Sequence, residues 1–135
     1  MKPQAARAHA TRPPTENQLL AKLLEAAPFA LPNLRLFRRQ VLHVEAIGRD
    51  GHRFRVAAAA KGQCDAYALL RGGRCIEIET KAHGGKLRHE QEAWRDWCRS
   101  WQIPWLMLTA GKGEHPNDTV VRWLEEIAGI ARGLT

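Results

Sequence analysis

The sequence predicts an α/β fold: a central mixed β-sheet of about five strands flanked by helices, with a further helix at the C-terminal end. Three observations predict it. Short apolar runs separated by glycine-containing turns read as two successive hairpins between residues 34 and 80. A helical pattern over residues 86–101 then leads directly into an apolar run at 103–109. Strand, helix, strand in that order implies a parallel crossover beside the second hairpin. Amphipathic helical spacing also stands at both ends of this block.

Taken in order, Thr15 precedes Leu19, Leu20, Leu23, Leu24 and Ala27, with Gln18 three residues after the threonine. That spacing predicts a helix with a capping box, ended by Pro28 and Pro32. Residues 34–47 alternate with an offset at Val41 and read as one strand with a bulge. Gly48-Arg49-Asp50-Gly51 is a hairpin turn, and residues 52–60 return with Phe54 and Val56 inward. Residues 65–70 and 74–80 form the second hairpin across Gly72-Gly73. In the next helix Leu87, Gln91, Trp94, Cys98 and Trp101 share the inner stripe. Trp94, Trp97, Trp101 and Trp105 lie close together, which reads as packing rather than base stacking. Residues 103–109 read as a strand buried on both faces. A last helix, capped by Asn117 or Asp118, turns Val121, Leu124, Ile127, Ala128 and Ala131 inward.

The 135 residues suit one domain, expected over 15–135, behind a basic arm at 1–14 whose composition suits disorder. No apolar run reaches the roughly 20 residues that span a membrane. Three cysteines without paired spacing suit buried thiols in a reducing, cytoplasmic setting better than a zinc site. The formal net charge of +7 suits a polyanionic partner. Six arginines fall between positions 35 and 55, against Glu45 and Asp50. Arg38, Arg39 and Arg53 in that hairpin, and Lys86 and Arg88 after Gly84-Gly85, are candidate phosphate contacts. A solvated strand or loop accounts for them equally well.

The chemistry concentrates in GQCDAYALLRGGRCIEIETKAHGGKLRHEQ, residues 62–91. Strand alternation puts Glu77, Glu79 and Lys81 on one face and Ile76, Ile78 and Thr80 on the other. Glutamate between buried isoleucines needs a partner. Asp65 on the neighbouring strand, Glu79 and the Thr80 main-chain carbonyl form an oxygen set suited to Mg²⁺ or Mn²⁺. Lys81 would stand beside a water there and orient it. Gln91, on the inward stripe of the next helix, needs partners that the lysine or the water would supply. An exposed, salt-bridged strand surface explains the E-x-K triplet alone. Glu16 by itself reads as a carboxylate favoured by the first turn of its helix.

The ordered pieces GQCD (62–65), IETK (78–81), GGKL (84–87) and Gln91, followed by a tryptophan-containing helix and an apolar strand, resemble the VRR-NUC branch of the PD-(D/E)XK nucleases. The resemblance covers residues 15–110. It implies a restriction-endonuclease-like core in the order αβββαβ and a Mg²⁺- or Mn²⁺-dependent deoxyribonuclease. Asp65 and Glu79 would be metal ligands, Lys81 the catalytic lysine, and Gln91 the glutamine of the last motif. Glu16 would complete the metal site, and Arg38 would match a first-strand arginine. Branched or flapped DNA rather than plain duplex, or a Holliday junction, would be the substrate and a homodimer the working form, in a bacterial or phage setting. Cys64 stands where the family usually has proline, and Thr80 where it commonly has an apolar residue. The alternative is a catalytically inactive DNA-binding module of the same fold.

Overall fold

A computed structural model describes residues 12–39, 43–57 and 62–134, with side chains left aside at 43–45 and 55–57. The expected basic arm lies, as far as residue 11, outside the described residues.

The first helix, α1 (Glu16–Ala30), begins where the sequence places it. The Thr15 hydroxyl accepts from the Gln18 backbone, and the Thr15 N–H donates to the Gln18 side chain at 2.9 Å. The helix does not stop at Pro28 but passes through it to Ala30. A proline in the final turn removes one hydrogen bond, and Leu31 closes the end by donating to the Ala27 carbonyl at 2.8 Å.

The stretch expected as one strand is divided. β1 (Leu34–Arg38) lies in the main sheet, whereas β2 (His43–Ile47) pairs only with β3 (Arg53–Ala57), as a separate two-stranded hairpin around the 48–51 turn. Its Phe54, expected inward, is half exposed; the Val56 side chain and residues 58–60 fall outside the described set. The central sheet therefore has four strands rather than about five, in the order β1-β4-β5-β6. It is mixed: β4 (Ala66–Leu70) is antiparallel to β1 and to β5 (Cys75–Lys81), while β6 (Trp105–Thr109) is parallel to β5, as the strand-helix-strand order requires. A 3₁₀ turn at Arg71–Gly73 with Gly72 at φ 84° joins β4 to β5.

The crossover helix α2 (His89–Ser100) lies on one face of the sheet; α1 and α3 (Pro116–Gly133) cover the other. Ile76, Ile78, Ala66, Ala68 and Leu108 point to the α1–α3 side and meet Leu19, Leu23, Trp123 and Ile127. β6 is an edge strand, so it is not buried on both faces: Leu108 is inaccessible, but Met107 is exposed. In α3, Thr119, Val120, Trp123, Leu124 and Ile127 are buried while Val121 is exposed, a rotation from the expected face. Its cap is His115, whose Nδ1 accepts from the Asn117 N–H, with Pro116 at the first helical position.

α2 also departs from expectation. It starts at His89 rather than Lys86, and its sheet-facing positions are taken by Gln91 and Cys98. Trp97 and Trp101 are left at 40% and 68% exposure, so the tryptophans of this helix do not all pack inward. Among the described residues no helix is long and apolar enough to cross a membrane.

Candidate active site

β5 is the centre of the site because both of its faces are covered. Glu77, Glu79 and Lys81 retain 7%, 1% and 6% of their accessible surface, which removes the exposed salt-bridge account of this triplet. Each buried charge must then find partners within the protein. Glu77 finds Arg39, which forks onto both carboxylate oxygens at 2.6 and 2.9 Å. The same guanidinium bonds the Cys64 carbonyl and lies 4.9 Å from the centre of the Tyr67 ring.

Glu79 and Lys81 meet Gln91. The glutamine N–H₂ donates to Glu79 Oε1 at 2.8 Å, and its Oε1 accepts from Lys81 Nζ at 2.9 Å. That oxygen also accepts the Arg88 backbone N–H at 2.9 Å. Gln91 thus fixes both Glu79 and Lys81 and closes the start of its own helix. Lys81 Nζ stands 3.6 Å from Glu79 Oε1.

Asp65 ends the loop that leads into β4. Its Oδ2 accepts from both the N–H and the hydroxyl of Thr80, each at 3.1 Å. The ladder pairs Ala66 with Ile78, so Asp65 continues the register to a place beside Glu79. Burial, and then the negative Asp65, push the Glu79 carboxyl up to about 8; Lys81 opposes this. The two residues that the sequence pairs are therefore adjacent.

The Thr80 carbonyl falls on the same side. The Lys81 carbonyl accepts from Ala110 beyond β6, and alternation turns the carbonyl of the preceding residue to the opposite edge, where Asp65 binds the Thr80 N–H. Glu79 Oε2 is buried and has no hydrogen-bond partner among the described residues. With Glu77 paired to Arg39, the cluster holds two carboxyls, Asp65 and Glu79, and one ammonium, Lys81. An orphaned carboxylate oxygen, a second carboxylate and a carbonyl suit a hard cation in donor type and in charge. Among the described residues, however, no three His, Cys, Asp or Glu side chains converge to hold a metal ion.

Glu16 is consequently not brought into a three-carboxylate group. Its Oε1 accepts the Ala82 N–H at 3.3 Å, just past the end of β5, so it borders the site. Arg38 reaches the Asn17 carbonyl at 3.3 Å and is exposed. Arg39 is held in the Glu77 pair. Arg53 stands exposed on the β2–β3 hairpin, and Lys86 and Arg88 stand exposed at the entrance to α2.

One determinant lies in the motif but not in its chemistry. Gly62 has φ 84°, and a Cβ there would fall 2.0 Å from the Glu90 carbonyl oxygen and 3.0 Å from the Gln91 nitrogen. Only glycine lets this loop press against the first turn of α2, three residues before Asp65. The buried Arg39–Glu77 pair was equally hidden in sequence, because arginine on a basic strand gives no sign of its partner. Two of the three cysteines are buried thiols, Cys64 and Cys98, and burial pushes the Cys98 thiol up to about 11; Cys75 is only partly buried.

Comparison of the chain with protein-family models, with curated proteins and with solved structures gives no match.

Proposed function

We propose that this chain is a metal-dependent deoxyribonuclease with a restriction-endonuclease-like core, acting on DNA phosphodiesters. The observation that carries the reading is the meeting of Asp65, Glu79, Lys81 and Gln91 at the end of β5, with one carboxylate oxygen buried and unpartnered. Structural ion pairs are satisfied in the way that Arg39 satisfies Glu77. This second cluster carries two acids against one base and leaves one buried carboxyl oxygen without a partner.

Asp65, Glu79 and the Thr80 carbonyl would hold Mg²⁺ or Mn²⁺. Bound there, the cation supplies Lewis-acid stabilisation of the phosphate and lowers the pKa of a water. The chain's own residues supply positioning. Lys81, pinned by Gln91, presents a fixed ammonium to a phosphate oxygen or to the attacking water, where it stabilises growing negative charge. Gln91 removes its rotational freedom before substrate arrives. Asp65 is fixed by Thr80, so neither acid must reorganise. The net charge of +7, with Lys86 and Arg88 at the entrance, favours a polyanionic substrate. A branched junction is the substrate geometry we propose, cut by a pair of chains.

The test is cleavage of linear and four-way-junction DNA in Mg²⁺, Mn²⁺ or EDTA. Cutting is expected with the metals and lost in EDTA, in Asp65→Ala and in Lys81→Ala. Activity surviving both substitutions would end the proposal. DNA binding with no cutting under any metal would identify an inactive binding module instead.

A further inference from the structure

Outside the catalytic cluster, the feature that packing does not explain is the tryptophan row on α2. Trp94, Trp97 and Trp101 recur at steps of three and four residues, so they stand in one line along the helix. Their rings touch in sequence, with centroids 4.8 and 5.2 Å apart and planes tilted by 31° and 33°. Trp97 and Trp101 are well exposed, although Gln91 and Cys98 already fill the sheet-facing side of this helix. Indole surface left in water is unfavourable and marks a contact surface when it is contiguous.

Two observations indicate the occupant. The row begins at Trp94, one helical turn beyond Gln91, whose side chain bonds Glu79 and Lys81, so it starts near that end of β5. Beside it opens a cleft of about 420 Å³ lined by His89, Glu90, Ala93, Trp94 and Trp97. Its walls are two indole rings, an imidazole and one carboxylate. That carboxylate repels phosphate. It would accept a hydrogen bond from an exocyclic amine such as cytosine N4, while the rings offer flat apolar faces. The combination suits a nucleobase rather than a backbone.

We infer that the Trp94–Trp97–Trp101 row is a stacking platform for unpaired bases, which makes the substrate a nucleic acid with a single-stranded segment next to the scissile bond. The inference rests on the proposed function only in taking nucleic acid as the partner. Stacking on aromatic side chains needs bases that are out of the duplex, as in a flap or the open centre of a junction.

The experiment is binding of the full chain in EDTA, read by tryptophan fluorescence at fixed salt. The probes are a short oligodeoxycytidylate and an abasic strand of the same length. The base-bearing strand is expected to quench the fluorescence and to bind at least about tenfold tighter than the abasic strand. Trp97→Ala and Trp101→Ala should each weaken that binding roughly fivefold or more without changing abasic binding, and Trp97→Phe and Trp101→Phe should retain most of it. Equal affinity for both strands, or unchanged affinity in folded alanine variants, overturns the inference. A shift from dimer to monomer in the alanine variants, without loss of base-dependent binding, also overturns it by assigning the row to a second copy. Because no cleavage is measured, the two readings fail separately. Base-dependent binding without cutting under any metal removes the nuclease and keeps the platform; cutting by a chain that binds both strands equally does the reverse.

Discussion

Glu79→Gln should make the metal-free protein more stable at alkaline pH and, if the proposed nuclease reading holds, abolish cleavage. The Glu79 carboxyl stands at about 8 against an ordinary 4.5, mainly through burial and then through Asp65. Between those values the folded state keeps a proton that the unfolded chain has released. Stability therefore falls as pH rises through this window, and the penalty is complete above about 8. At about 1.4 kcal/mol per pH unit, the window represents at most roughly 5 kcal/mol. Glutamine is neutral and nearly isosteric. Its oxygen would still accept from Gln91, and its N–H₂ would face Asp65 as a donor. Urea denaturation in EDTA at about pH 9 should show the variant more stable by several kcal/mol. At about pH 5, where the wild-type side chain is protonated, the difference should shrink to about 1 kcal/mol or less. Added Mg²⁺ should stabilise the wild type at about pH 9 far more than the variant, because a cation relieves the same repulsion. A variant no more stable at about pH 9 than at about pH 5, relative to wild type, would refute the reasoning.

Three further outcomes test the surroundings of the site. Gly62→Ala places a methyl group 2.0 Å from the Glu90 carbonyl oxygen at a positive φ, and should cost roughly 2–5 kcal/mol in thermal or urea denaturation while displacing Asp65 from Glu79. Arg39→Ala strands the Glu77 carboxylate in the interior and should cost roughly 3–5 kcal/mol; the double replacement Arg39→Met with Glu77→Leu should recover most of that loss. Glu114 is held down to about 2, first by hydrogen bonds from Arg122 and then by Thr119 and the Gly111 backbone. Its stabilisation is present above the ordinary 4.5 and is lost as pH falls toward 2, so Glu114→Gln should be less stable than wild type at neutral pH and indistinguishable near pH 2.

Local chemistry was the legible part. The Thr15–Gln18 capping box, the glycine turns and the alternation through Ile76–Lys81 depend on neighbours within a few residues, and each appears in the structure. Gln91 was legible because a polar residue on an inward stripe must be satisfied. What failed depended on tertiary contacts. The apolar alternation from Leu34 to Ile47 continues across a point where the chain leaves the sheet, and nothing in a period of two registers that departure. The close spacing of the tryptophans, two of them on the expected inner stripe, reads as packing, but Gln91 and Cys98 occupy the one stripe that α2 turns to the sheet. Arg39 reads as a surface cation until Glu77 is brought to it from thirty-eight residues away. Glu16 lies near the site, yet the start of α1 delivers its carboxylate to the Ala82 amide rather than to the acid pair.

The shared acceptor on Gln91 links two events that are usually separate. One oxygen receives both the lysine ammonium and the amide that opens the helix. Fraying of that first turn therefore strips the lysine of its glutamine partner and leaves it the 3.6 Å contact with Glu79, and reorientation of the glutamine toward another group exposes the Arg88 amide to solvent. Hydrogen exchange at that single backbone position consequently reports how long the amine stays aimed, a clock for the site that can be read without substrate.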